Sequence, residues 1–437
     1  MGRAEVQAFF KKNNFLADDL DMNAELDRFV KSMSDGLDGS TPPESMLMIP
    51  TYLSVESKIE TNTPVIVMDA GGTNFRICLT EFQANGEVEI IDFKKQQMPG
   101  VEAEIGKAEF YNFLADMLEP YLASSKNIGF CFSYPSEIQA DKDGMIINFT
   151  KEVRIPEAHG TFIGQEIKAV LAERGHDTSD LNIVVLNDTV AALLGGAVQS
   201  YGRQYSGNAG IVLGTGINSA YVEQNENITK LEGEINPLGN MIINMESGDY
   251  NVSSQSDIDK KIDEFSVAPG TQLFEKMISG RYLGIQTHFA LKAAVEEPNL
   301  FSDFFKESFA AIDEVQAQNM NEFIAEPYGT GVLSRSCANE LDRENLYFII
   351  DNIFERAAKL VAVLVTAIHK KAGVGKNPVR PLAFTIEGTT YYMSPTFRAK
   401  LDSYIKTYTN EEHGYYNKFL RVDNTNIIGS ALAALTN

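Results

Sequence analysis

Asp69-Ala70-Gly71-Gly72-Thr73-Asn74-Phe75-Arg76 gathers residue types that suit a phosphate chain and its metal. The apolar run Val65-Ile66-Val67-Met68 ends in a carboxylate, two glycines and a Thr-Asn pair follow, and a second strand-like run opens at Phe75. Glycines let the backbone turn tightly and let N–H groups approach an anion, while an Asp before the turn can hold a cation or its water shell. The octamer reads equally well as a β-hairpin whose turn needs two glycines. A second glycine turn, Gly214-Thr215-Gly216, lies between two further strand-like runs. Asp188 precedes Thr-Val-Ala-Ala-Leu-Leu, and by itself that pattern reads as a helix N-cap.

The elements that must position these groups follow from periodicity. Strands are predicted at 65–68, 75–82 and 88–93, with Asn85-Gly86 as a hairpin signal between the second and third. A helix at 103–122 leads to a strand at 128–134, then helix 162–173, strand 183–186 and helix 189–199. Residues 201–208 are polar and contain glycine, which marks a domain crossing. Strands at 211–213 and 217–222 then flank the second glycine turn, and long helices follow at 283–295 and 352–371, the latter stopped by lysines and Gly373. Lys370, Lys371, Lys376 and Arg380 read as a solvated helix end. Before the first strand, 6–36 reads as an amphipathic helix that packs on a core. The order strand, glycine turn, strand occurs twice with αβ material after each, which predicts two similar lobes facing one cleft.

Composition bounds the function classes. The chain has 437 residues, too many for one ordinary core. Its net charge of −23 disfavours nonspecific binding to nucleic acid or anionic lipid, yet allows a nucleotide to be held by a few local donors. The three cysteines form no CxxC pair, which predicts reduced thiols and a cytoplasmic protein. The five histidines are scattered without HExxH spacing, so a built-in zinc site is not expected. No signal-peptide core is seen at the N-terminus, Val6 stands where myristoylation wants Ser or Thr, and the most apolar helical stretch, 360–368, is too short to span a bilayer.

A series of segments resembles the hexokinase family. Asp69 to Arg76 is similar to its first phosphate motif and Leu213-Gly214-Thr215-Gly216-Ile217-Asn218 to its second. Gly129 to Pro135 resembles the sugar-binding segment, Phe149-Thr150-Lys151 its Trp-Thr-Lys, and Leu186-Asn187-Asp188-Thr189-Val190 the segment with the catalytic Asp. Ile243-Asn244-Met245-Glu246 and Phe274 to Gly280 match further sugar-contacting segments. The matches keep the family order from about Met46 to Ala434, as a single rather than a duplicated unit. The resemblance implies an α/β, two-lobed actin-like ATPase fold, a duplicated ribonuclease-H-like architecture with a central cleft. It divides the chain into a large domain, 1–60 plus 207–424, and a small domain, 61–206 plus 425–437.

The implied activity is ATP-dependent phosphorylation of the 6-hydroxyl of glucose or a related hexose. Alternatives are a kinase for mannose, fructose or an amino sugar, and a sugar-sensing regulator on the same scaffold. Asp188 is the implied general base, and Lys151 steadies the phosphate or the hydroxyl. Ser133, Tyr134, Thr150, Lys151, Asn187, Asp188, Asn218, Glu246 and Glu275 would bind sugar. Asp69, Gly71, Gly72, Thr73, Asn74, Arg76, Gly214, Thr215, Gly216, Gly388 and Thr389 would bind ATP, with Asp69 holding Mg²⁺ through its waters. Taken singly, Glu246 and Glu275 read as solvated carboxylates, Lys151 as an exposed lysine and Ser133 as a strand-end hydroxyl. The implied partner is a hexose, with neither nucleic acid nor membrane, and the oligomeric state is open between monomer and homodimer.

Several positions depart from the family pattern. Phe149 stands for Trp, Glu152 for Gly, Ser247 for Trp and Ile285 for Glu. Glu387-Gly388-Thr389 resembles Asp-Gly-Ser, and the last motif, acidic-Gly-Ser-Gly in the family, reads Asn424-Thr425-Asn426-Ile427. The expected adenine-side contacts are therefore altered.

Overall fold

Val65 to Ala70 is buried along its whole length because this strand is covered on both faces and flanked on both edges. In the computed structural model, which describes residues 2–40, 46–55, 59–84, 87–149, 153–200 and 203–436, it is β2 (Val65–Gly71). β1 is the short Ile49–Pro50, and β3 (Asn74–Phe82), β4 (Val88–Gln97) and β5 (Asn127–Phe132) follow. β6 (Ser136–Ile138) and β7 (Gly144–Ile146) form a separate two-stranded ribbon before β8 (Asn182–Leu186). β9 (Gly207–Leu213), β10 (Ile217–Gln224), β11 (Asn240–Asn244), β12 (Leu382–Glu387) and β13 (Asn417–Leu420) complete the set.

The strands build two sheets of one plan. The first has the order β4-β3-β2-β5-β8 and the second β11-β10-β9-β12-β13, with β1 added beside β11. In each, an antiparallel hairpin leads the sheet and the last two strands join in parallel. The repeated strand–turn–strand pattern of the sequence is thus a repeated topology.

Three apolar clusters hold this arrangement. One packs the second sheet on the long helix Glu340–Ala372, and another packs the first sheet on helices Lys107–Leu118 and Ile163–Glu173. The third spans both sheets, joining Val67 and Cys131 to Ala220 and Ile242 through Leu194 and Ala431. Leu194 and Ala431 belong to helices Asp188–Gln199 and Thr425–Thr436, which lie against each other. Gly429 makes that approach possible, because a Cβ there would stand 2.0 Å from the Ala191 carbonyl oxygen. The C-terminal helix also packs on β5 and β2, as its expected return to the first lobe requires.

Some elements differ from the sequence reading. The single helix expected at 6–36 is two, Gly2–Lys12 and Met22–Asp38, parted by a 3₁₀ turn at Ala17–Asp19. Asn14 takes a left-handed conformation (φ 52°), and Asp21 caps the second helix by accepting from the Asn23 and Ala24 amides. Apolar periodicity ran across this break because both helices bury residues in one core. The long helix starts earlier than expected, at Glu340, where the Asn339 side chain accepts from the Asp342 amide. Its lysine end is tied down rather than merely solvated: Lys370 pairs with Asp27 at 2.9 Å and Lys371 donates to Ser34 Oγ at 3.0 Å. Asn85-Gly86 lies outside the described residues. Among the described residues no helix is long and apolar enough to cross a membrane.

Candidate active site

The first glycine turn is a hairpin turn, one of the two readings its residues allowed. Gly71 pairs with Asn74, so Gly72-Thr73 closes a tight hairpin, and Thr73 is exposed at its tip. The Tyr134 hydroxyl donates to the Gly72 carbonyl at 2.8 Å, and the Met98 amide donates to the Thr73 carbonyl at 2.9 Å. Tyr134 is itself buried, and its hydroxyl supports the turn. Phe149 keeps an aromatic wall behind it, edge-on to Phe110 and Phe132 and stacked on His159.

Asp69 lies on β2, two residues before the turn at Gly71. Its Oδ2 accepts from Arg76 Nη1 at 2.5 Å, so Arg76 neutralises a carboxylate of the protein itself. Its Oδ1 is buried and, among the described residues, takes no conventional hydrogen bond, with the Cys131 thiol as a weak neighbour. Burial raises the Asp69 carboxyl above its ordinary value, Arg76 opposes that, and the charge of Asp188 adds to it. A Cβ at Gly71 would stand 3.5 Å from Asp69 Oδ1 and 3.6 Å from Ser133 Oγ, so these groups converge on one spot.

The second glycine turn faces the first from the other sheet. Leu213 pairs with Ile217, and the Gly214 amide donates to the Gly216 carbonyl at 3.0 Å, leaving Thr215 exposed. The Gly214 carbonyl accepts from the Gly280 amide and from Thr390 Oγ1, both at 2.8 Å. Gly388 lies against this turn with φ 105°, and Thr389 begins the short helix Thr389–Met393. Thr390, which holds the turn, was not distinguishable in sequence from its exposed neighbour Thr389.

Asp188 is not the helix cap expected of it. Asn187 is the N-cap, and its Oδ1 accepts from the Thr189 amide at 2.9 Å. Asp188 is the first helical residue and receives the Thr189 hydroxyl at 3.2 Å on Oδ1 among the described residues. The local signal was right about a cap but one residue late, and the shift leaves the half-buried Asp188 carboxylate outside the capping role. A negative side chain in the first turn also suits the positive end of the helix dipole.

A chain of amides runs from Asn187 across the cleft. Asn218 Nδ2 lies 3.4 Å from Asn187 Oδ1, 2.8 Å from Asn244 Oδ1 and 3.2 Å from Glu246 Oε1, so its two hydrogens face three acceptors. Asn244 Nδ2 donates to the same Glu246 oxygen at 2.8 Å. Glu246 adopts φ 52°, a left-handed conformation that a Glu seldom takes. Burial pushes its carboxyl up to about 7, with the charges of Asp249 and Asp188 adding and the two Asn donors opposing. Glu275 accepts from the Ile217 amide at 3.1 Å beside Gly216, which sets it next to the second glycine turn. Asn244 was missed as a site residue although its segment was recognised. Thr150 and Lys151 lie outside the described residues.

Next to the glycine turns opens a cavity of about 560 Å³ whose walls come from both sheets. Asp69, Arg76 and Phe93 line it from the first, and Gly388, Thr389, Tyr392, Met393 and Arg421 line it from the second. At its side the Thr425 hydroxyl donates to Glu387 Oε1 at 2.7 Å. Burial raises the Glu387 carboxyl, Thr425 opposes, and Asp423 and Asp188 add to the rise. Asp188 therefore acts electrostatically on Asp69 in one lobe and on Glu246 and Glu387 in the other.

Paired sheets of one topology, a glycine turn on each and a carboxylate between them define a two-lobed actin-like sugar kinase fold. Two family models described as hexokinase match the chain, over residues 7–198 and 208–436. The chain belongs to the hexokinase family and is a hexose phosphotransferase. It is 29% identical over 435 residues to Hexokinase-1 of Schizosaccharomyces pombe, covering 93% of this chain and 86% of that one. Hexokinase-7 of Oryza sativa subsp. japonica is 28% identical over 370 residues, 79% of this chain and 78% of its own. Among solved structures, a hexokinase from Schistosoma mansoni complexed with glucose has the same fold, with TM-score 0.76 at 21% identity over 99% of this chain and all of that one.

Proposed function

We propose that the chain transfers the terminal phosphoryl group of MgATP to the 6-hydroxyl of glucose or a close relative, with Asp188 as general base. The observation that carries this is the amide chain Asn187–Asn218–Asn244–Glu246, which bridges the lobes beside Asp188. Hexose hydroxyls both donate and accept, and fixed amides and carboxylates can pair with each in one orientation. Asn187, Asn218, Glu246, Glu275 and Ser133 are the residues proposed to seat the sugar.

Asp188 accepts the proton of the 6-hydroxyl as the new oxygen–phosphorus bond forms and the bond to the leaving diphosphate breaks. The turns at Gly71–Asn74 and Gly214–Gly216, with Gly388 and Thr389, restrain the phosphates, and Thr73 and Thr215 add hydroxyl donors. The buried, unsatisfied Asp69 Oδ1 fits a hydrated Mg²⁺, which supplies neutralising charge on the phosphates when bound. Roles for Thr150 and Lys151 rest on the resemblance alone.

The domain division proposed is 1–60 with 207–424 and 61–206 with 425–437, the two moving together on the sugar. Water carries the same nucleophile as a sugar hydroxyl, so a site assembled only when sugar is bound limits waste of ATP. A reduced, cytoplasmic setting agrees with the three buried free cysteines, and the charge of −23 supports a partner other than nucleic acid.

The test is a coupled kinase assay over a panel of hexoses with Asp188→Ala beside the wild type. The variant is expected to lose kcat by at least ~10² while hexose binding, measured directly, largely survives. Near-normal kcat would remove Asp188 from the role of base, and a wild type that phosphorylates no hexose would end the proposal.

A further inference from the structure

Phe93 breaks the rule of its strand. β4 is the edge of its sheet and is mostly exposed and polar past Ile91, yet Phe93 stands there 49% exposed. A β-bulge puts it there. Ile77 pairs with Lys94 and Leu79 with Ile91, so Asp92 and Phe93 together oppose Cys78. Asp92 takes the left-handed conformation (φ 49°), and its carbonyl accepts from the buried Tyr121 hydroxyl at 3.1 Å. Bulges re-aim side chains, and this one is built into the lobe, with Phe93 lining the cavity beside Asp69 and Arg76.

The opposite wall of the same cavity offers a second uncovered apolar group. Met393 is 69% exposed at the end of the short helix that begins with Thr389. Beside it, Tyr392 is stacked under the Arg421 guanidinium at 5.0 Å and donates its hydroxyl to the Ile386 carbonyl at 2.9 Å, which fixes the ring. Asn424 and Asn426 place amides on the same lining. Two apolar faces on separate lobes, with amides at the side, suit a flat heteroaromatic ring with polar edges. A hexose is the poorer occupant, since its hydroxyls match the amides and carboxylate around Asn218 and Glu246.

We propose that Phe93 and Met393 clamp the base of the nucleotide donor from the two lobes, with Tyr392 and Arg421 as the floor behind Met393. This rests on the reading of the chain as a nucleotide-dependent hexokinase and adds the residues that would recognise the donor. Contact with both apolar faces makes the clamp tolerant of which purine is present, and Asn424 and Asn426 are left to read the base edge.

The experiment measures KM for ATP at saturating hexose, and KM for hexose at saturating ATP, in Phe93→Ala and Met393→Ala. Each variant is expected to raise KM for ATP about tenfold, as loss of one stacking face does. KM for hexose should stay within about twofold and Phe93→Trp should restore ATP binding. Both side chains are exposed, so the melting temperature should hold. An active wild type with an unmoved KM for ATP in either variant would overturn the clamp and leave the hexokinase reading standing. A hexose KM that rises in step with that for ATP would also overturn it, by showing a general structural effect. A wild type inactive on every hexose would instead sink the reading on which the clamp rests.

Discussion

The Glu246 carboxyl is desolvated at the floor of the cleft and repelled by Asp249 and Asp188, and it is pushed up from 4.5 to about 7. Between those values the folded protein holds a proton that the unfolded chain has lost. Its contribution to stability therefore falls as pH rises through that window and levels off above it. For binding, the sign is opposite in effect. Sugar hydroxyls donate more strongly to a carboxylate than to a neutral carboxyl, so protonation below about pH 7 weakens this contact. We expect KM for hexose to climb as pH falls from about 8 to 5.5 in the wild type. Glu246→Gln should bind hexose more weakly throughout and lose that slope. A flat wild-type profile would show that this carboxyl does not titrate against the sugar. Asp69 presents the complementary case. Its carboxyl is raised by burial, but Arg76 holds one oxygen and leaves the other beside Gly71 at the first glycine turn.

At the level of elements, the two glycine turns are supported differently. The first is locked from within its own lobe, by Tyr134 and by the Met98 amide. The second is locked by other segments: Gly280 and Thr390 hold the Gly214 carbonyl, and Gly388 packs on its backbone. A Cβ at Gly388 would stand 2.3 Å from the Leu213 carbonyl oxygen and 2.7 Å from the Gly214 nitrogen, and φ 105° is a conformation in which Ala is strained. Gly388→Ala must therefore push the turn aside. It is expected to cut kcat/KM for ATP by about tenfold or more and to lower the melting temperature by several degrees, at roughly 1–3 kcal/mol. A variant with wild-type nucleotide kinetics would show that the turn tolerates displacement. Helix Asp188–Gln199 is the other element that matters, because its N-terminus sets Asp188 and its body packs on the C-terminal helix at Gly429. The final residues of the chain thus steady the start of the helix that bears the proposed base.

Across the whole molecule, the third apolar cluster joins the two sheets, and the cavity beside the glycine turns takes its walls from both, with Val422 and Ile427 common to cluster and cavity. Rotation of one lobe about that shared cluster would change the width of the cavity. Adding glucose is expected to lower the radius of gyration measured by solution X-ray scattering, and adding ATP alone to do so less, because the amide chain that bridges the lobes is at the sugar end. Identical scattering with and without sugar would argue that the lobes are already fixed. Electrostatics acts on the same scale. Asp188 raises carboxyls in both lobes, so approach of the lobes tightens a cluster of negative charge.

Sequence alone determined which segments carry the glycine turns, in what order, and that the plan is used twice, because glycine turns between apolar runs are local and periodic. It also singled out Asp188, Asn187, Asn218 and Glu246 by type and setting. What it could not assign were matters of distance between segments remote along the chain. Asn187 rather than Asp188 is the cap, because the backbone turns into the helix one residue earlier than the pattern implied. Arg76 faces Asp69 because β2 and β3 pair in that register. Asn244 joins the site because β10 and β11 place it beside Asn218, and Phe93 reaches the cavity only through a bulge set by its partner strand. Periodicity fixes elements, whereas pairing register and close approach of helices fix which side chains meet, and those depend on the assembled core.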